Sequence, residues 1–253
     1  MKSSIIDAHA HCGRLYGLPA QDFEDYIEGV GESGIGGVVM FPPVMEIYDR
    51  HAPDFEDNPE WQRRRREANA YLLTLGNEDF EVTPYLFIWN DFAVEQLSPH
   101  HRGIKWHRHA DEPRYHYDDP RCRAAIDEIR RRNMPVCLEE EFHNTLRFID
   151  DLAPGVRVII PHCGFLNGGY ESFHRMKIWG RPHIYTDTSL APRDAILHYI
   201  TNYGHERIMF GSDFPFGDPA AELRKILRLH LSDHVKEAII GGSVRRLLAS
   251  SNQ

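Results

Sequence analysis

Residues 5–11 read Ile-Ile-Asp-Ala-His-Ala-His, a short apolar segment that is typical of a buried β-strand and that ends in two histidines. Side chains two positions apart in a strand point to the same face, so Asp7, His9 and His11 project together. Two imidazoles on one face can bind the same cation, and an apolar strand has no structural need for such a pair. The segment therefore predicts a buried first strand that carries metal ligands.

Seven further strand patterns follow along the chain, and helical patterns separate them. Strands that alternate with helices are typical of parallel βαβ units, and continuous apolar runs indicate strands covered on both faces. Asp-Pro or Asn-Pro pairs mark several of the helix starts. The predicted strands are 5–11, 37–42, 82–90, 103–109, 135–141, 156–162, 184–189 and 208–213. The predicted helices are 22–32, 59–74, 120–132, 145–152, 170–179, 192–203, 219–229 and 233–249.

Eight such units with no linker predict an α/β fold in which residues 1–253 form one domain, a single (β/α)₈ TIM barrel. The length of 253 residues fits, because such barrels typically have about 250 residues. Segment 43–80 is longer than one crossover needs, so we predict an elaborated loop and helix after strand 2. Its arginine run at 63–66 is predicted to be a solvated helix face.

Charge and composition exclude several classes of partner. The chain has 38 acidic and 29 basic residues and a net charge of -9, which argues against a nucleic-acid or anionic membrane surface. It has no run of about 18 apolar residues, and its amino-terminal apolar run is too short for a signal peptide. The four cysteines form no CxxC pair. We therefore expect a cytoplasmic protein with reduced thiols.

Several motifs at successive strand ends together carry a family resemblance. They are IIDAHAH at 5–11, GIKWH at 103–107, MPVCLEEEF at 134–142, VIIPHCG at 158–164, IYTDTS at 184–189 and RIMFGSDFP at 207–215. With these motifs the sequence resembles the amidohydrolase superfamily of metal-dependent TIM-barrel hydrolases. Within it, the sequence is most similar to the amidohydrolase-2 branch, which includes the aminocarboxymuconate-semialdehyde decarboxylase-like hydrolases and decarboxylases.

The resemblance implies roles for four residues. His9 and His11 would bind a metal ion. Asp213 would be a further ligand that also accepts a proton from metal-bound water, and His162 would orient or polarise a substrate carbonyl. These roles agree with the predicted fold, because active sites of such barrels form at the carboxyl ends of the strands.

The fifth strand departs from the family pattern, which usually reads like PVLIH. Here Glu139 stands where the histidine ligand would be. A carboxylate is an acceptable ligand for Zn²⁺, Mn²⁺ or Fe²⁺, so we predict a site of two histidines, Glu139 and Asp213 that holds one ion, with zinc expected. Two alternatives stay open: Glu139 bridges two ions, or Glu141 is the ligand, because strand alternation sends both to one face.

The fourth strand contributes two candidate substrate-binding residues. Lys105 is predicted to bind a substrate carboxylate, with a carbamylated lysine that bridges two metals as the alternative. His107 shares its face and is predicted to bind substrate or relay protons, while Asp187 is a candidate support for a ligand imidazole. His143 is either a ligand or a loop residue. Three further histidines are predicted at the surface: His100, His101 and His116.

The leading functional prediction is a metal-dependent hydrolase that attacks an ester, lactone or amide carbonyl of a small molecule with an activated water. The first alternative is a non-oxidative decarboxylase, a lyase, that acts on a small carboxylated substrate. A catalytically silent barrel that serves as a binding subunit is the third. The expected partner is a small-molecule substrate. A homo-oligomer is compatible with all three functional predictions.

Overall fold

Eight parallel strands form one sheet in order from β1 to β8 in this computed structural model, which describes residues 5–14 and 21–249. A parallel bridge between Ala10 and Phe214 connects β1 with the segment after β8, so the sheet curls into a barrel. The predicted single (β/α)₈ TIM barrel is confirmed. The strands are β1 Ile5–His11, β2 Ile35–Phe41, β3 Glu81–Phe87, β4 Gly103–His107, β5 Val136–Glu139, β6 Val158–Ile160, β7 Ile184–Asp187 and β8 Ile208–Met209.

The helices surround the sheet, and their starts match the sequence signals. Asn58 and Asp119 each accept a hydrogen bond from the first turn of their helix, and a proline follows each cap as predicted. The helices are α1 Phe23–Val30, α2 Pro59–Leu72, α3 Pro120–Arg131, α4 Phe142–Arg147, α5 Tyr170–Arg175, α6 Arg193–Tyr203, α7 Pro219–Leu227, α8 Asp233–Glu237 and α9 Ser243–Ala249. Two π-helical segments, Phe148–Leu152 and Ala238–Gly242, extend α4 and join α8 to α9.

Strands β2 to β8 all end earlier than predicted, and two of these differences involve predicted site residues. β6 ends at Ile160 rather than at His162, and β8 ends at Met209 rather than at Asp213. Both His162 and Asp213 have positive φ angles, 56° and 57°, which a strand cannot accommodate. A non-glycine residue in this region costs energy, and such strain concentrates at functional sites.

The elaborated segment after β2 is present as a 3₁₀ turn at Val44–Glu46 followed by α2. The prediction that its arginine run is a solvated face is wrong at Arg65, which is buried. Its guanidinium pairs with Asp57 at 2.7 Å and Asp91 at 2.9 Å and donates to the Ile47 carbonyl at 2.7 Å. A buried guanidinium is tolerated when its donors are paired in this way, so Arg65 fixes the segment onto the barrel.

Apolar side chains fill the barrel at its amino end, while the carboxyl end is polar. Ile6, Val39, Tyr85 and Met209 belong to the interior cluster, and side chains of α9 pack against it. Active-site chemistry is therefore confined to the carboxyl end of the strands. Among the described residues, no helix has the length and apolarity to cross a membrane.

Asp7 joins the two ends of the sheet, and the prediction that it projects together with His9 and His11 is wrong, because the register of β1 on β2 shifts between Asp7 and Ala10. Asp7 Oδ1 accepts from the backbone N–H groups of Ser212 at 2.9 Å and His9 at 3.1 Å. Its Oδ2 accepts from the Ser212 hydroxyl at 2.5 Å and the Tyr26 hydroxyl at 3.1 Å. Because all these groups are buried, the carboxylate satisfies donors that water cannot reach.

Replacing Asp7 with alanine should lower the free energy of unfolding by roughly 2–4 kcal/mol, because the substitution leaves several buried donors without partners. Chemical denaturation measures this loss. The matched control is Asp151→Ala at an exposed position, which should change stability by less than about 0.5 kcal/mol. Equal effects of the two substitutions would contradict the role assigned to Asp7.

His101, predicted at the surface, is instead buried beside β4. Its Nδ1 accepts from the Ser98 N–H at 3.1 Å, so the ring proton lies on Nε2. Burial, helped by the charges of Arg132 and His100, lowers the pKa of His101 to about 4. The folded protein therefore favours the neutral ring, and stability should fall as the pH drops from about 6.5 towards 4.

Between pH 7 and pH 5, the free energy of unfolding should fall less in His101→Gln than in the wild type, by on the order of 2 kcal/mol. A His101 pKa that folding lowers from 6.5 to about 4 costs the wild type about that amount of stability at pH 5. Denaturation at the two pH values gives the difference. His116→Gln, at an exposed histidine, should follow the wild type.

Candidate metal centre

His9 and His11 converge with Asp213 at the carboxyl end of the barrel. The Nε2 atoms of His9 and His11 lie 3.3 Å and 3.5 Å from Asp213 Oδ1, and all three side chains are buried. The backbone N–H of Asp213 donates to the His9 carbonyl at 2.7 Å, which holds the segment after β8 against β1. These residues form one of the groups whose donor atoms lie close enough to hold a metal ion.

The Nδ1 atoms of His9 and His11 both have hydrogen-bond partners, and these partners determine the ring tautomers. His11 Nδ1 lies 3.2 Å from the Pro42 carbonyl oxygen, and His9 Nδ1 lies 2.9 Å from Asp187 Oδ2. Because these oxygens only accept, each Nδ1 carries the proton and each Nε2 presents its lone pair to Asp213. This is the arrangement of histidine ligands that proteins use for metals, so the residues fit a divalent cation.

Protonation states also fit a cation. Burial, helped by the charge of Lys105, lowers the pKa of His9 to about 4, so the ring is neutral at neutral pH. Burial alone would raise the pKa of Asp213, but its interactions with His11, His9 and His162 lower it. A neutral imidazole and an ionised carboxylate are the forms that bind metals.

Asp187 at the end of β7 is the support predicted for a ligand imidazole. Besides His9 Nδ1, it accepts from the backbone N–H groups of His162 and Ser189, both at 3.1 Å. Gly211 leaves room for this contact, because a Cβ there would lie 2.9 Å from the Cβ of His9. The glycine in the motif FGSD thus has a steric reason, which is the close approach of the segment after β8 to β1.

The buried Lys105 side chain lies between Glu139 and His9. The Lys105 ammonium lies 3.0 Å from Glu139 Oε2 and 3.4 Å from His9 Nε2. Burial alone would raise the pKa of Glu139, but its interactions with His107 and with the Lys105 ammonium hold the pKa well below its ordinary value. Lys105 thus lies between Glu139 and His9, and the role of Glu139 as a ligand beside His9 and His11 stays a prediction.

The other oxygen of Glu139 faces His107, the last residue of β4, and His109, which follows the strand. Glu139 Oε1 lies 3.2 Å from His107 Nε2 and 2.8 Å from His109 Nε2. The donor atoms of His107, His109 and Glu139 all lie within 4.8 Å of one another. The sequence analysis assigned a role to His107 but none to His109, which reaches Glu139 from the segment after the end of β4.

His162 projects into the same cluster from the segment after β6. Its Nδ1 lies 3.1 Å from the Ser189 carbonyl oxygen, and its Nε2 lies 3.5 Å from Glu139 Oε2. Burial alone would lower the pKa of His162, but the hydrogen bond and charge of Glu139 raise it to about 9. The imidazolium that results can donate a hydrogen bond to an oxygen atom.

A pocket of about 240 Å³ opens above these groups, which is the space of about eight waters at roughly 30 Å³ each. Polar groups, among them His107, form one part of its lining, and apolar side chains form the rest. The substrate-binding role of His107 stays a prediction. Lys105 is fully buried and is not among the lining residues. The lining consists of His11, Gln21, Pro43, Val44, Met45, Arg50, His107, His109, Glu139, Leu166, Leu190, Asp213 and Phe216.

The alternative ligand Glu141 lies outside the cluster. Its side chain is 42% exposed, and it accepts from Asn144 at 2.9 Å at the start of α4. The strand ends at Glu139, so the alternation that would bring Glu141 to the same face does not continue. His143 is likewise exposed and is not among the residues that line the pocket.

Comparisons with known proteins agree with this fold. A family model described as Amidohydrolase matches residues 6–249. A comparison with curated protein sequences finds no match. Among solved structures, 2,6-dihydroxybenzoate decarboxylase from Rhizobium superposes with a TM-score of 0.74 at 15% identity, covering 98% of this chain and 99% of that one.

Two further structures are similar over nearly the full length. Dihydroxybenzoic acid decarboxylase from a Polaromonas species, solved with manganese and the inhibitor 2-nitroresorcinol, gives a TM-score of 0.73 at 13% identity, with 97% of this chain and 96% of that chain covered. Amidohydrolase 2 from Bifidobacterium longum gives 0.64 at 17% identity, with 97% and 98% covered. At these identities the likeness shows the fold.

The variant Asp187→Asn should weaken metal affinity about ten- to a hundredfold, because it removes the negative charge that orients His9 and raises its basicity. Competition with a chromogenic chelator for Zn²⁺ measures the change. Asp194→Asn, at an exposed position on α6, is the matched control and should leave the affinity unchanged. An unaltered affinity in Asp187→Asn would argue against His9 as a ligand.

Proposed function

This chain belongs to the amidohydrolase family, and on that premise we propose that it is a metal-dependent hydrolase of small esters, lactones or amides. The observation that supports this most directly is the convergence of two histidine Nε2 lone pairs on the Asp213 carboxylate beside a pocket. We expect one Zn²⁺ at His9, His11 and Asp213, with Mn²⁺ and Fe²⁺ as alternatives that the same donors can hold.

A divalent cation at this position supplies Lewis acidity, which acidifies water and polarises a carbonyl group. Asp213 accepts the proton of the attacking water, since its lowered pKa keeps it ionised and its Oδ1 lies beside both ligand rings. His162 donates from Nε2 to the carbonyl oxygen of the substrate and orients it. These roles use only groups at the carboxyl ends of β1, β6 and β8.

The pocket indicates the kind of substrate. A space of about 240 Å³ accommodates a small molecule and no extended polymer. Met45, Leu166, Leu190 and Phe216 form an apolar wall although each is more than 40% exposed. Apolar side chains gathered at a site opening favour a ligand with an apolar portion, so the substrate should carry an alkyl or aryl group beside its scissile bond.

Decarboxylation of a small carboxylated substrate is the second candidate. Structures of similar fold include those of dihydroxybenzoate decarboxylases, and Arg50 contributes a cation to the pocket lining. Arg50 already pairs with Glu112, however, and Lys105 pairs with Glu139. Because both cations have carboxylate partners within the protein, they offer less to a substrate carboxylate, and hydrolysis is our leading proposal.

The cellular setting is part of the proposal. The four cysteines are free and buried, as expected of a protein that works in a reducing compartment. We therefore propose a cytoplasmic enzyme whose partner is a small-molecule substrate. Light scattering would measure whether the chain forms the homo-oligomer that the sequence allows.

Turnover of a panel of aryl esters, lactones and benzoates in H₂¹⁸O separates the two reactions. Hydrolysis places ¹⁸O in the carboxylate product, whereas decarboxylation releases carbon dioxide and leaves the remaining product without label. The wild type should incorporate label, and Asp213→Asn should lower kcat by at least about a hundredfold, the usual scale of lost acid–base catalysis.

Asp218 caps α7 outside the pocket, so Asp218→Asn is the control. We expect its kcat to equal that of the wild type. Carbon dioxide release without label would favour the lyase. Full activity of metal-stripped protein, or of Asp213→Asn, on every accepted substrate would contradict both metal-dependent candidates.

A further inference from the structure

We propose that His107, His109 and Glu139 form a second divalent-cation site, separate from the one at His9, His11 and Asp213. Glu139 Oε1 lies 3.2 Å from His107 Nε2 and 2.8 Å from His109 Nε2, and all three donor atoms lie within 4.8 Å of one another. Two imidazoles and one carboxylate are a donor set that zinc accepts. This site goes beyond the proposed hydrolysis, which needs one ion.

The hydrogen bonds of His107 leave its Nε2 without a proton. Tyr48 has one hydroxyl proton, which it donates to Glu112 Oε2 at 2.6 Å, the shortest of its contacts. The Tyr48 oxygen therefore accepts from His107 Nδ1, which lies 3.3 Å away. The neutral ring then presents its Nε2 lone pair to Glu139 Oε1. Two buried acceptors that face each other at 3.2 Å need a cation or a proton between them.

His109 can complete the site by changing its tautomer. Its Nδ1 now lies 3.2 Å from an Arg50 nitrogen, which can only donate, so the ring proton lies on Nε2 towards Glu139. Glu112 Oε1 lies 3.5 Å from the same Nδ1 and can accept a proton there once Nε2 binds a cation. The supporting carboxylate that metal-binding histidines usually have is therefore in place.

The two oxygens of Glu139 have different partners. Oε2 pairs with the Lys105 ammonium at 3.0 Å, while Oε1 belongs to the two histidines. Lys105 thus separates the proposed site from His9 and from the first site. Because Lys105 already neutralises part of the charge of Glu139, we expect the second site to bind Zn²⁺ more weakly than the first.

Both sites open to the same pocket. His107, His109 and Glu139 line it together with His11 and Asp213. With three protein ligands, a cation at the proposed site keeps a coordination position free for a pocket ligand. The second ion would therefore contact an oxygen of the same substrate that the first site binds.

Zn²⁺ bound per chain is the measurement that tests the site, and it needs no substrate. Metal-stripped protein is equilibrated with saturating Zn²⁺, freed of excess metal by gel filtration in buffer of the same free Zn²⁺ concentration, and analysed for metal. We expect two ions per wild-type chain. The double variant His107→Ala, His109→Ala should lose one ion, and His11→Ala should lose the other.

Controls address folding and adventitious binding. The double variant His100→Ala, His143→Ala removes two exposed histidines and should keep both ions. Circular dichroism and thermal unfolding show whether each variant folds. Because His109 is partly exposed, His109→Gln alone serves if the double variant fails to fold, and it should also lose one ion. Co²⁺ absorption bands give a second readout of each site.

The outcomes separate this proposal from the proposed function. Two ions in the wild type, with one lost in each of the two site variants, support both sites. One ion that survives His11→Ala but is lost in His109→Gln supports the second site and contradicts the first. An ion content that does not change in His109→Gln and in the double variant overturns the second site and leaves the first intact.

Discussion

The ion pair between Lys105 and Glu139 is the interaction on which the arrangement of the polar end of the barrel depends. The Lys105 side chain is fully buried, and burial of an ammonium without a partner is one of the largest penalties in a protein interior. Glu139, one strand away, supplies the partner at 3.0 Å. The family pattern has a histidine at this position of the fifth strand, which is neutral and could not compensate the charge. The departure at Glu139 therefore has a physical reason that is independent of metal binding.

The ion pair also influences the protonation states of His9 and His162. The ammonium lies 3.4 Å from His9 Nε2, and its charge helps to keep the His9 ring neutral. The carboxylate has the opposite effect on His162, whose pKa it raises to about 9 against the effect of burial. One pair of opposite charges thus produces two histidines of opposite character in one cluster. A neutral ring is suited to hold a cation, and a charged ring is suited to donate to an oxygen.

Much of this structure follows from sequence patterns that report local physics. Strand alternation placed His9 and His11 together, and Asp-Pro or Asn-Pro pairs marked helix starts, because both depend on neighbouring residues only. It failed for Asp7, because the register of β1 on β2 shifts between Asp7 and Ala10. Contacts between distant segments were harder to predict. Arg65 looks like a surface arginine until Asp57 and Asp91 come together around it. His101 and the partners of His109 were missed for the same reason, since no local signal reports burial or a loop that folds back.

Backbone strain explains why β6 and β8 were predicted to extend as far as His162 and Asp213. Continuous apolar runs through 156–160 and 208–210 suggested strands that continue to His162 and Asp213, yet both residues take positive φ. Hydrogen bonds repay that cost: Asp187 accepts from the His162 N–H, and the Asp213 N–H donates to the His9 carbonyl. The turns re-aim two side chains that regular strands would direct elsewhere. Because Asp187 also contacts His9 Nδ1, a single buried carboxylate connects the candidate ligand on β1 with the strained turn after β6.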